Sequence, residues 1–168
     1  MPLFNMSQLR AQLPGGARLL GLDPGQRTIG LALSDVSLVL ASPYGSLKRG
    51  KLSVNAAEIA RIARKEGVAA LVCGLPLSMD GSFGPAAQRA RDWFLALTAA
   101  TGLPGALWDE RLSSSAVNRM LISDLDMTRS RRAEIVDKIA AAYILQAALD
   151  AGNGTRQDRE PDGGRDRD

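Results

Sequence analysis

The 168-residue sequence predicts an α/β domain on a mixed five-stranded sheet, an antiparallel meander beside parallel crossover strands, flanked by helices. Three observations predict it. Apolar residues alternate in the first third of the chain, at Leu20 and Leu22 and again at Ile29, Leu31 and Leu33. The spacing then lengthens to a helical period from Ala56 onward. Finally "VAALVCGL", Val68 to Leu75, is a short unbroken apolar run bounded by Gly67 and Pro76, the pattern of a strand buried on both faces.

The elements follow in order. The strands around Leu20–Leu22 and Ile29–Leu33 are joined by "PGQR", which predicts a β-hairpin. A third strand is expected over Leu38–Ser46, and Pro43 suits an edge position. Ala56, Ile59, Ala60 and Ala63 mark a helix between a Ser53 N-cap and a Gly67 C-terminus. The buried strand follows, then the loop "PLSMDGSFG". A second helix starts near Pro85, shows Ala90, Trp93, Phe94 and Leu97 on one face, and stops at Gly102. "GALWDERLS", Gly105–Ser113, reads as the fifth strand. Helices are expected from about Ser114 to Ser123 and from Ser130 to Asp150. This divides the chain into an N-terminal extension (1–17), one domain (18–150) and a disordered polar tail (151–168). "GNGTRQDREPDGGRDRD" contains no large apolar residue to offset the entropy of ordering.

Composition excludes much chemistry. There is no histidine and one cysteine, so Ser-His-Asp, Cys-His and ordinary zinc sites are impossible. Cys73 lies within "ALVCGL", which reads as a core thiol. No apolar run is long enough to span a bilayer. The N-terminal stretch lacks the basic start and apolar block of a secretory signal, so a cytoplasmic location is expected. The net charge of +3 permits nucleic-acid binding without requiring it.

The remaining chemistry lies in carboxylates. Asp23 ends an apolar strand, on the face of Leu19 and Gly21. Pro24 biases it toward extended backbone, and Gly25 permits the reversal that follows. Read alone, Asp23 also serves as a turn residue. Asp109 and Glu110 in "WDER" are adjacent, so an extended strand points them to opposite faces and at most one joins Asp23. Either also reads as surface charge. Asp137 heads the stripe Ala140, Ala141, Ile144 and Ala148; its alternative is an acid favoured by the helix dipole. Carboxylates drawn to one end of the sheet repel, and a hard cation such as Mg²⁺ or Mn²⁺ relieves that repulsion.

Four segments, "GLDPGQRTIGLALSD", "VCGLPLSMDGSFGPAAQRARDWFLAL", "WDERLSSSAV" and "IVDKIAAAYILQAALD", together resemble the YqgF, or RuvX, family of bacterial pre-16S rRNA nucleases, also described as Holliday junction resolvases. The resemblance covers about Arg18 to Asp150. It implies a ribonuclease-H-like fold and a divalent-metal phosphodiesterase, with Asp23, Glu110 and Asp137 as catalytic and metal-binding acids and Asp109 as a further candidate ligand. Ribonucleases and resolvases of this fold commonly carry four carboxylates, whereas Ala140 stands three residues after Asp137. The implied chemistry is two-metal hydrolysis, leaving 5′-phosphate and 3′-hydroxyl ends. Arg27, Arg111, Arg129, Arg131 and Arg132 are candidate backbone contacts, each equally readable as a solvated surface charge. The resemblance makes the loop "LPLSMDGSFG" a substrate edge shaped by Pro76 and Gly81. The implied partner is nucleic acid, structured RNA ahead of branched DNA. Two rivals stand beside this reading. "GLDPG" also resembles the phosphate loop of actin-like and sugar-kinase ATPases, which need a second such domain. A non-catalytic RNA-binding assembly module would use the acids structurally.

Overall fold

Alternation along the hairpin gives the sheet two chemically different faces. The computed structural model describes residues 3–77, 80–110 and 129–157. β2 (Arg18–Pro24) and β3 (Thr28–Ser34) pair antiparallel, and β4 (Ala41–Lys48) continues the meander at the sheet's edge. Pro43 sits there beside a register shift, so its missing N–H breaks no interior ladder. β5 (Val68–Leu75) and β6 (Gly105–Asp109) add in parallel on the other flank of β2. These are the five strands that the sequence predicts. A sixth, two-residue strand, β1 (Leu3–Phe4), pairs with β6, giving the order β1-β6-β5-β2-β3-β4.

On one face Leu20, Leu22, Ile29, Leu31, Leu71 and Cys73 pack against α2 (Leu52–Glu66) and α3 (Pro85–Thr101). On the other, Leu19, Ala32, Ala70, Val72 and Ala106 pack against Ala141, Leu145, Ala148 and Leu149 of α4 (Arg129–Gln157). Much of this second face is alanine and glycine, so α4 lies close to it. A Cβ on Gly21 would stand 2.9 Å from Leu145 Cβ and 3.3 Å from the Ala141 carbonyl oxygen. The N-terminal extension belongs to the same layer, because Met6 and Leu9 of α1 (Met6–Gln12) are buried there. A capping box from Asn5 to Gln8 starts that helix.

Several expectations change in detail. α2 begins at Leu52 with Lys51 as N-cap and no side-chain cap, so Ser53 does not fill that role. The corner is tied instead by Asn55, fully buried, whose Oδ1 accepts from the Gly50 amide (2.9 Å) and whose Nδ2 donates to the Lys48 carbonyl (3.0 Å). Gly67 and Gly102 do end α2 and α3, in left-handed conformations. β6 stops at Asp109 rather than Ser113. The helix expected at 114–123 lies outside the described residues. α4 continues to Gln157, past the point at which the polar tail was expected to lose order; residues 158–168 are also outside the described residues. No described helix is long and apolar enough to cross a membrane.

Candidate active site

Parallel pairing brings the C-terminal ends of β2, β5 and β6 to one edge of the sheet, through Leu22 opposite Cys73 and Leu75 opposite Asp109. Alternation then decides which side chains face α4. In β2 they are Leu19, Gly21 and Asp23; in β5, Ala70, Val72 and Gly74; in β6, Ala106 and Trp108, with Glu110 next in phase. Asp137 comes down from α4 onto this edge. The result is a cleft of about 360 Å³ lined by Asp23, Pro24, Gly25, Gly74, Pro76, Glu110, Val136 and Asp137.

Each acid is set differently. Asp23 is 3% exposed, at the end of a strand paired on both sides. Glu110 lies over Gly74, where an added Cβ would come within 3.0 Å of its Oε1 and 2.7 Å of Ile144 Cδ1. Asp137 accepts a hydrogen bond from the Thr28 hydroxyl. The backbone at Asp137 rests directly on Gly30, and Gly25 leaves open the space beside its carboxylate. Asp137 is two turns inside α4, beyond the first turn where the helix dipole favours acids. The buried Cys73 thiol registers the same electrostatics. Burial first, then the charges of Asp23 and Glu110, push it well above its ordinary value, while Arg49 pulls the other way.

The three acids that sequence and resemblance single out therefore line one cleft. Asp109 is not among its lining residues; strand phase turns it to the opposite face. Arg27 is exposed on the hairpin turn. Gly81 turns the exposed loop after β5 with a positive φ of 85° and is not among the lining residues, whereas Pro76 is. Arg111 is outside the described residues. Arg129, Arg131 and Arg132 belong to the opening turn of α4, upstream of Asp137.

Two contributors escape sequence reasoning. Thr28 holds Asp137 across 109 residues of chain. Arg49 donates from Nη1 to the Gly25 carbonyl at 2.7 Å and lies over the Trp93 ring, 5.3 Å from its centroid. Neither has a local signal, since both partners are distant in sequence. The basic run "LKRGK" marks Arg49 only as charged.

The donors suit a hard divalent ion, being carboxylate oxygens with no imidazole or exposed thiolate. Among the described residues no three acids already stand close enough to form an ion cage.

A family profile described as "RuvX: Holliday junction resolvase" matches residues 17–151. A Gluconacetobacter diazotrophicus protein named "Putative pre-16S rRNA nuclease" is 76% identical over 151 residues, covering 90% of this chain and 98% of that one. A Gluconobacter oxydans protein of the same name is 66% identical over 151 residues, covering 90% and 94%. Among solved structures, T. thermophilus RuvC in complex with Holliday junction substrate superposes with a TM-score of 0.52 at 17% identity, covering 83% of this chain and 97% of that one, a likeness of fold. The chain is thus a ribonuclease-H-like domain, and on the match to nearly its whole length it belongs to the RuvX family.

Proposed function

We propose that this chain is a divalent-metal-dependent endonuclease that processes the 5′ end of pre-16S rRNA in the cytoplasm during ribosome biogenesis. The observation that carries the reading is the single cleft shared by Asp23, Glu110 and Asp137, in a chain whose relatives bear nuclease names. These three acids are assigned to hold Mg²⁺ or Mn²⁺. A divalent ion held there supplies a Lewis acid for the phosphate oxygen and lowers the pKa of a bound water. The chain's own part is positioning. Asp23 is fixed by its place in a doubly paired strand. The Thr28 hydroxyl orients the Asp137 carboxylate. Gly25 and Gly74 leave the cleft floor without side chains where a phosphodiester must approach. Arg27, Arg111, Arg129, Arg131, Arg132 and the Gly81 loop are assigned to the RNA backbone around the cut. With no histidine in the chain, proton acceptance falls to a carboxylate or to solvent.

The test is cleavage of a 5′-extended 16S precursor fragment with Mg²⁺ or Mn²⁺, by wild type, Asp23→Asn and Asp137→Asn, with a four-way DNA junction run in parallel. Metal-dependent cleavage of the precursor, lost in both folded variants, supports the proposal. The family description favours a second reading, resolution of branched DNA, and preferential cutting of the junction would select it. RNA binding with no cleavage of either substrate would select the non-catalytic assembly role.

A further inference from the structure

The cations at the end of β4 carry an inference that rests on the nuclease reading. Lys48 stands directly opposite Thr28 in the antiparallel ladder. Such partners share a face with Cβ atoms about 4.5–5.5 Å apart. Lys48 therefore rises on the α4 face, beside the hydroxyl that holds Asp137. Arg49 turns to the other face, bonded to the Gly25 carbonyl and lying over Trp93, and its amide donates to the Arg27 carbonyl at 2.9 Å. The hairpin turn and the β4–α2 corner are thus one unit, clamped from below by the buried Asn55. Arg27, Lys48 and Lys51 are exposed, and among the described residues none of these four cations lies within ion-pair distance of a carboxylate.

A cleft lined by three acids repels a phosphodiester. Cations within about 8 Å, one Debye length at physiological salt, offset that repulsion. We propose that Arg27, Lys48 and Lys51 seat the substrate's phosphodiester backbone on the β4 side of the acid cleft, with Lys48 nearest the scissile phosphate. Arg49 is the positioning residue, holding the turn that follows Asp23.

The test is equilibrium binding of a short single-stranded RNA, with a four-way DNA junction as a second arm, followed by anisotropy across a salt series without divalent ions. Binding is thereby read apart from cleavage. For the RNA, Lys48→Gln/Lys51→Gln lowers the slope of log K against log salt by about 1.4, two phosphates at about 0.7 each. Arg64→Gln/Lys65→Gln removes equal charge about 20 Å away along α2 and leaves the slope unchanged. In a separate cleavage assay with Mg²⁺, Arg49→Lys keeps the charge but loses the bond to Gly25, so kcat falls while KM for the RNA holds. A slope unchanged in the Lys48/Lys51 variant, an equal fall in both double variants, or no binding to either probe by wild type would overturn the inference. Wild type that binds with the predicted slopes yet never cleaves would instead sink the nuclease reading and leave the seat standing. The junction arm identifies which backbone the seat prefers.

Discussion

Substituting Gly30 by alanine tests how Asp137 is placed. A Cβ there would stand 2.1 Å from the Asp137 carbonyl oxygen and 2.4 Å from its carbonyl carbon. Both are backbone atoms of a continuous helix, so no rotamer change relieves the clash. Real Cβ atoms essentially never come within 3.0 Å of a neighbour, so that turn of α4 must retreat by at least about 0.9 Å. Overpacking of this kind costs about 1–3 kcal/mol, or a fall in Tm of about 2–4 °C per kcal/mol for a chain of this size. A misplacement near 1 Å also costs about a hundredfold in rate. The assay pairs urea unfolding with single-turnover cleavage. Gly45→Ala, on the neighbouring strand with nothing within 4 Å of the new Cβ, is the control. Gly30→Ala with wild-type stability and rate would refute the close seating of α4 on β3.

The remaining predictions concern single interactions. Thr28→Val leaves Asp137 without its hydroxyl partner and lowers kcat by about 10–100-fold, whereas Thr28→Ser retains activity; equal rates would show the bond to be idle. Asp35 is held below the usual carboxylate range, chiefly by the Val39 amide and also by that of Leu40. Its folded value is depressed, so its stabilisation is present above about pH 3.9, its unfolded value, and is lost as pH falls through the folded value. Asp35→Asn should flatten that part of the acid unfolding curve, and an unchanged curve would remove Asp35 from the account. Leu38 adopts a positive φ of 57°, costly for a branched side chain, so Leu38→Gly should raise or hold the midpoint of urea unfolding despite lost packing. A marked fall would show the packing to dominate.

Legibility in the sequence followed the range of the interactions. Strands with strong period-two or unbroken apolar patterns were readable, and Val68–Leu75 was bounded to the residue. Gly67 and Gly102 marked helix ends because a left-handed residue is a local requirement. The α2 start was misread because Asn55 reaches back to the Lys48–Gly50 corner in place of an ordinary cap at Ser53. β1 was invisible because two residues carry no periodicity. That Asp23, one acid of the Asp109–Glu110 pair and Asp137 could meet at one end of the sheet was readable from the order of the elements, but the choice of Glu110 came only through the family resemblance. Adjacency in sequence put Asp109 and Glu110 on opposite faces, and the register of β6 decides which of them faces α4. Thr28, Lys48 and Arg49 needed the hairpin register itself.

The most direct measurement is Mn²⁺ binding, followed by electron paramagnetic resonance in the presence of a non-cleavable oligonucleotide, in wild type and in Asp23→Asn, Glu110→Gln and Asp137→Asn. If Asp23, Glu110 and Asp137 together hold the metal once substrate is bound, wild type takes up Mn²⁺ and each substitution weakens uptake while the fold persists. Undiminished uptake in any one of the three folded variants would contradict the assignment of that acid to the metal.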